Sequence, residues 1–483
     1  MQAAGGKEAR LETAKEAVSV VAANDRVGRI EAHGIDVIAD TERHGRSREL
    51  FSIWAAQAVN FLAIVVGGAL ILLGLSLWQA IAVAILGNLF AVGAGVVAIS
   101  GPASGTPSEV VTRAMFGIRA NRVNVAVTAW IFSMCYIAIV WATGALAGFT
   151  ILERFGVTLT TPLKALVILA IAAVTLVISV YGHATIVRVY VPLTIVLTVI
   201  FTVLTGYVLG RADWSYRPAE PLQGTQLWAA ISVGVVLVAA TPLSFSNSAD
   251  FARYLPRSSS PVAVAGWTTA GLLIPSVIFT VVGILAGTVI DMTDPQSALG
   301  AILPSWFMPI FLLAIVIGSI AGNATTTYSS GLALQSIGVP LRRSITVLID
   351  GTVGVAVTLY ALLVSNFLDT VSSLLELLTA VVGPLMTIYV CDVLLRRNIY
   401  DGVALSDESP TSTFWYTRGV NVAGAVALIA ASGVALLCIS TPHYVGPIAT
   451  ALGGIDISLI VGIGLSATLY VGLMRTLYRD SLR

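Results

Sequence analysis

The chain has 483 residues, of which 57% are apolar and only 11% charged, and its mean hydropathy is +0.91. A soluble domain carries about 25% charged residues, so a water-soluble globular fold is excluded and an integral membrane protein is expected. The net charge of +1 adds nothing, because in such a protein the placement of charges matters and their sum does not.

Residues 1–50 read as a hydrophilic, mobile cytoplasmic tail with a short helix near Glu8–Ala23. No secretory signal is read there: the stretch is polar, and the first apolar run is too long for a signal h-region. Apolar runs of about 20 residues, the length that crosses a bilayer, then fall near 51–75, 79–100, 122–148, 162–181, 189–210, 228–249, 265–290, 307–334, 344–364, 370–394, 417–439 and 453–475. The predicted fold class is therefore all-α and membrane-embedded, with twelve transmembrane helices. Lys and Arg gather on one side of this arrangement: 22 of the 26 lie in the tail and the segments on its side, whereas Arg154, Lys164, Arg211 and Arg217 lie opposite. The positive-inside rule then places both termini in the cytoplasm of a multi-pass protein of the cell (inner) membrane.

The first ten spans divide into sets of five, 51–210 and 228–394, followed by two further helices over 415–476 and a cytoplasmic end at 477–483. An odd number per set inverts the second relative to the first, as in secondary transporters whose sites lie where the two repeats meet. Spans one and six are the matched pair. Span one carries Gln57 and Asn60 amid apolar residues, followed by Gly67-Gly68. Span six runs apolar from Val233 and changes at Ala239-Ala240-Thr241-Pro242, where proline has no N–H to give and a helix should break or kink. It turns polar at Ser244, Ser246, Asn247 and Ser248, then ends in Asp250 and Arg253, a spacing that suggests an ion pair or gate. Backbone freed inside a bilayer survives only where protein or a wet cavity satisfies it. A broken span is thus a candidate substrate site, with a serine-repaired proline kink as the plainer reading.

Span eight holds the densest polar cluster, Gly318 to Gly331, in which Asn323, Thr326 and Thr327 fall within about one helical turn and share an arc. Hydroxyl and amide oxygens are hard donors suited to Na⁺, although small and hydroxyl residues also serve as helix–helix glue. Two acids sit well inside spans, Glu376 and Asp350, and a buried carboxylate is a candidate proton carrier, Glu376 the stronger. Span three offers Trp130, Tyr136 and Trp141 as walls for a flat ring, of which at most one faces the site. Glu109, Arg113 and Arg119 read as a cytoplasmic cap. Cys135, Cys391 and Cys438 lack metal or disulfide spacing, and the four histidines are scattered in tail and loops. With no His/Asp cluster and no glycine-rich phosphate cradle, an enzyme is not expected; a channel would want a repeated filter lining.

These residues resemble the nucleobase–cation symporters, in particular the purine–cytosine permease branch. The resemblance rests on Glu42-Arg43-His44-Gly45 with Leu50-Phe51 and Trp54; on Gly74-Leu75-Ser76 and Gly87-Asn88; and on Ser100-Gly101-Pro102 to Gly105, Pro107, Arg113 and Phe116-Gly117. It continues in Asp250-Phe251-Ala252-Arg253-Tyr254-Leu255-Pro256 and in Asn323 with Tyr328-Ser329-Ser330-Gly331-Leu332, covering residues 42–340 in order. It implies a LeuT-like fold of two inverted five-helix repeats plus two C-terminal helices. It also implies nucleobase uptake driven by Na⁺ or H⁺, with substrate between spans one, three, six and eight and the cation between the span-one break and span eight.

The expected substrate-binding residues are Gln57, Asn60, Cys135, Tyr136, Ala240, Thr241, Pro242, Leu243, Ser244, Phe245 and Asn323, and the cation residues Asn323, Thr326 and Thr327, with Na⁺ as the metal such a site would take. The stacking tryptophan of related cytosine carriers falls here, counted without gaps from Phe116-Gly117, on Cys135 beside Tyr136, and a span-six aromatic appears as Thr241-Pro242 with Phe245 one turn on. The expected cargo is thus a nucleobase such as cytosine or a purine, or else another planar heterocycle such as a hydroxymethylpyrimidine or a B6 vitamer. No cofactor beyond the coupling ion is expected. The expected partners are the nucleobase, the ion and lipid, with no nucleic acid, for a monomer.

Overall fold

The computed structural model describes residues 26–363 and 367–482, with side chains described except at 367–376 and 378. The predicted helix at Glu8–Ala23 and the side chain of Glu376 therefore lie outside the described residues. Among those described, the regular elements are helices, and β-pairing is confined to two isolated bridges, Thr417–Val420 and Ser440–Val445.

The first span is two helices, α1 (Glu49–Ala58) and α2 (Phe61–Leu72), bent by 52° at Val59 and Asn60. There follow α3 (Leu77–Ser104), α4 (Ile118–Arg154), α5 (Thr161–Tyr181), α6 (His183–Leu209) and α7 (Gly224–Leu243). After them come α8 (Pro261–Gly287), α9 (Met308–Ile337), α10 (Arg343–Leu363), α11 (Phe367–Leu395), α12 (Val422–Cys438) and α13 (Ser458–Leu477). Nine helices among the described residues are long and apolar enough to cross a membrane, and the bent pair makes ten of the twelve spans expected; Thr379–Leu395 and Val422–Cys438 are shorter apolar helices. Local chemistry sets several of the starts. Asn60 caps α2 by accepting from Ala63 N–H at 3.0 Å, Ser76 and Gln79 form a capping box on α3, Ser260 caps α8 with Pro261 in its first turn, and Asn421 caps α12.

The helices pack in two groups. α1/α2, α3, α7 and α8 form one, and α4, α5, α9 and α10 the other, while α6 bridges α1 and α9. α12 and α13 pack on each other and on α11. Each group joins two consecutive spans to the two that lie five further on, the pairing that a five-plus-five repeat demands. α8 lies along α2 through two glycines. A Cβ built on Gly67 would collide with the backbone oxygen of Thr280, and one built on Gly283 with that of Ile64. Small residues of this kind let membrane helices approach backbone to backbone. Gly283→Val is accordingly expected to cost about 1–3 kcal/mol by overpacking, read as a lowered melting temperature in detergent.

Two expectations change. Span six does not end at Ala239–Pro242: α7 runs on through Leu243, and the interruption is Ser244–Ser248, before a short helix at Ala249–Ala252. Pro242 lies in the final turn, where Ser244 N–H still closes on Ala240 and Thr241, so the helix unwinds after the proline and not at it. Nor is the whole of 1–50 a loose tail. Ile38 is fully buried and Glu31 is 3% exposed, so the segment from Glu31 is docked into the helices.

Candidate functional site

Two small cavities flank the interruption of the first span. Asn60 turns its side chain back onto the chain, donating to the Gln57 carbonyl and accepting from Ala63 N–H. Gln57 is 9% exposed, and its amide makes no hydrogen bond among the described residues. Both residues border these two cavities. One is lined by Asn88 of α3, Val238 and Thr241 of α7, Phe245 beyond it, and Ser276 and Thr280 of α8. The other is walled by Tyr136, Ile139, Val140 and Thr143 of α4 and by Ile315, Gly318, Ser319 and Gly322 of α9. Hydrogen-bonding groups, two aromatic rings and apolar walls thus converge on one kinked backbone, the usual makeup of a small-molecule site.

Of the expected residues, Gln57, Asn60, Tyr136, Thr241 and Phe245 border these two cavities, and Ser244 borders a third one described below. Ala240, Pro242 and Leu243 line none of the three; Leu243 is buried in the core around α11. In α4, Tyr136 and not Cys135 reaches the cavity. A π-helical segment at Ala126–Ile131 lies between the Phe116-Gly117 landmark and this position. Adjacent helix positions differ by roughly 100° in direction, so of two neighbouring residues only one faces the cavity. Trp141 is buried and donates to Thr175 at 3.2 Å, and Trp130 donates to Asp350 at 2.7 Å.

The α9 cluster divides by face. Ile315, Gly318, Ser319 and Gly322 form the stripe toward the first-span break. Asn323 turns toward α4, its Nδ2 donating to the Ile137 carbonyl at 2.9 Å while its buried Oδ1 has no partner. Thr327 hydrogen-bonds Ser179 of α5 at 2.5 Å and its own Asn323 carbonyl. Thr326 is half-buried and closes back on the Gly322 carbonyl. The arc that the spacing predicted is real, but Asn323 and Thr327 are held by α4 and α5.

A third, small cavity lies beyond the α7 interruption on the arginine-rich side, bounded by Ser244, Ser246 and Asn247, by Asn124 and Thr128 of α4, by Ser329 of α9, and by Glu109. Close by, Asp250 and Arg253 do not pair as their spacing suggests. Asp250 accepts from Ser108 N–H and Ser329 Oγ, whereas Arg253 meets Glu31 at 3.1 Å. Glu31 also accepts from Tyr254 and Tyr328, takes the His183 N–H, and lies 3.6 Å from Arg343. Sequence reasoning missed this network because an acid in a polar stretch carries no local sign of its partners. The one available signal was the pair of arginines at the ends of spans.

This architecture, a many-helix membrane bundle with small cavities at an interrupted span, is that of a membrane transporter and not of an enzyme. Residues 37–462 match the family described as permease for cytosine/purines, uracil, thiamine, allantoin, and the chain belongs to that family. A relative, YxlA of Bacillus subtilis (strain 168), which carries a provisional name as a purine-cytosine permease, is 24% identical over 90% of this chain and 93% of its own length. Among solved structures, the fold is similar to Mhp1, a nucleobase-cation-symport-1 family transporter, closed with bromovinylhydantoin bound. That likeness has a TM-score of 0.73 at 19% identity, over 92% of this chain and 96% of the other. The inward-facing form of Mhp1 gives 0.70 at 20% identity, over 93% and 96%. A Na⁺-coupled sialic acid symporter gives 0.57 at 12%, over 90% of each chain. The fold is thus LeuT-like.

Proposed function

We propose that this permease imports a nucleobase, cytosine or a purine, by symport with Na⁺ or H⁺, through alternating access around the interrupted first span and the α7 break. The observation that carries the reading is Gln57, a carboxamide without a hydrogen-bond partner among the described residues, at a helix break and bordering both inner cavities. A carboxamide offers a donor and an acceptor side by side, which suits the edge of a nucleobase. Tyr136 and Phe245 supply ring faces on the two sides. Asn323, Thr326 and Thr327 remain the proposed cation residues, with the uncommitted Oδ1 of Asn323 as the supporting feature. The arginine bias supports cytoplasmic termini in the inner membrane, and the working form is taken as a monomer.

The test is a thermal-shift screen of nucleobases on the purified protein, with and without Na⁺ and at acid and neutral pH. A ligand that binds only the native state at a hundred times its Kd stabilises by about 2.7 kcal/mol. A shift with cytosine or a purine supports the reading. A shift only with a hydroxymethylpyrimidine or a B6 vitamer moves it to another flat heterocycle, and absence of counterflow in proteoliposomes ends the carrier reading. Asn323→Ala is expected to lower uptake at least tenfold and to weaken substrate affinity; unchanged values in both would remove Asn323 from the site.

A further inference from the structure

We propose that Glu109 is a proton-binding site built into the cytoplasmic closure, holding a proton while that side is shut and yielding it to cytoplasmic water when the side opens. The proposal rests on the transport reading above. Glu109 sits in the short helix Ser108–Val111 between α3 and α4, is 4% exposed, and borders the third cavity. Its Oε2 is buried without a hydrogen-bond partner. The helix is pinned from three sides: Asn121 Nδ2 and Ser336 Oγ donate to the Glu109 carbonyl, and Ser108 N–H donates to Asp250 at 2.8 Å.

Among the described residues, the cations near this carboxyl are committed elsewhere. Asp250 confronts it with a second carboxyl, whose charge and hydrogen bond both favour the protonated form and outweigh the opposing field of Arg253, and the Tyr389 hydroxyl is engaged with Ser100. α4 and α9 bring only amides and hydroxyls, Asn121, Asn124, Ser329 and Ser336. Arg113, one turn on, is committed to Glu408 at 2.6 Å and to the Leu405 carbonyl, and Arg253 to Glu31 and the Gly34 carbonyl. Burial first, and the charge of Asp250 second, push the Glu109 carboxyl well above the usual carboxylate range.

The sign of the coupling follows. A carboxyl that holds its proton more tightly in the closed form than in the open one favours closure at low pH. That advantage is lost as pH rises from the ordinary carboxylate value, about 4.3, through the raised one. With the proton gone to water, the Glu109 and Asp250 carboxylates repel across the contact between Ser108–Val111 and Ala249–Ala252. The proton is bound on one side of the cycle and released on the other, and by reciprocity whatever opens the closure expels it.

The full-length protein tests this without any substrate. Ser246→Cys puts a thiol in the third cavity, and its labelling by an impermeant maleimide reports opening once the labelling of the parent chain is subtracted and the rate is divided by that of the denatured chain at the same pH, which removes the titration of the thiol itself. Labelling is expected to rise severalfold from acid to alkaline pH. The rise is expected to vanish in Glu109→Gln, to persist with a displaced midpoint in Glu109→Asp, and to move to lower pH in Asp250→Asn. The infrared carbonyl band of a protonated carboxyl, present at neutral pH, is expected to be lost in Glu109→Gln. A pH dependence and band unchanged in Glu109→Gln would overturn the proposal even where nucleobase binding and counterflow are intact. Their absence alongside a Glu109-dependent pH response would instead reject the transport reading.

Discussion

Glu31→Gln is expected to destabilise the protein by about 3–5 kcal/mol, the cost of breaking a buried ion pair from one side. Arg253 and Arg343 are each fully buried around this one carboxylate. Removing its charge leaves two cations with only carbonyls and tyrosines to face: Gly34 and Tyr328 for Arg253, Ser179 and Val180 for Arg343. The penalty belongs to the abandoned charges more than to the lost bonds. Glu31→Gln combined with Arg253→Met is therefore expected to melt above Glu31→Gln alone, a coupling that a double-mutant cycle measures directly. If Glu31→Gln melts like the parent protein, the N-terminal segment is an ornament and not a fastener.

Gln57→Ala is expected to act in the opposite way, sparing stability and removing function. No hydrogen-bond partner among the described residues is lost, so the melting temperature without ligand should stay close to that of the parent. A nucleobase edge left without its hydrogen bonds inside a site weakens binding by about 1–3 kcal/mol, a roughly five- to more than hundredfold rise in Kd. Isothermal titration and uptake in proteoliposomes read this separately from folding. Asn60→Ala forms the contrast, because it removes a helix cap worth about 1 kcal/mol and is expected to lower both stability and uptake. An unaltered Kd in Gln57→Ala would place the ligand elsewhere.

The spans were legible because a run of apolar residues long enough for a bilayer is a local property, and the interruption at Gln57–Asn60 showed as amides within such a run. The resemblance carried the packing of distant spans, which hydropathy cannot. What stayed hidden depended on rotation or on distance along the chain. The α9 polar residues lie on neighbouring faces of one helix, and only the helices around them decide that Asn323 and Thr327 turn to α4 and α5. Which of the adjacent Cys135 and Tyr136 reaches the cavity depends on the rotation of α4, which composition does not reveal. The α7 break came after Pro242 because the last turn could still close on Ala240 and Thr241. Glu31 looked like one more charge in a solvated tail, its nearest arginine partner lying 222 positions away.

That separation bears on how the molecule is made. Residues around Glu31 leave the ribosome before the helices that receive them, because their pocket needs Arg253, Tyr328 and Arg343, all synthesised far later. This segment thus waits longer than most for its partners. Until it docks, both guanidinium groups must find lipid phosphates or water, so docking of this segment is a late checkpoint in biogenesis, and a bulky fusion placed just upstream would burden assembly before it burdened transport.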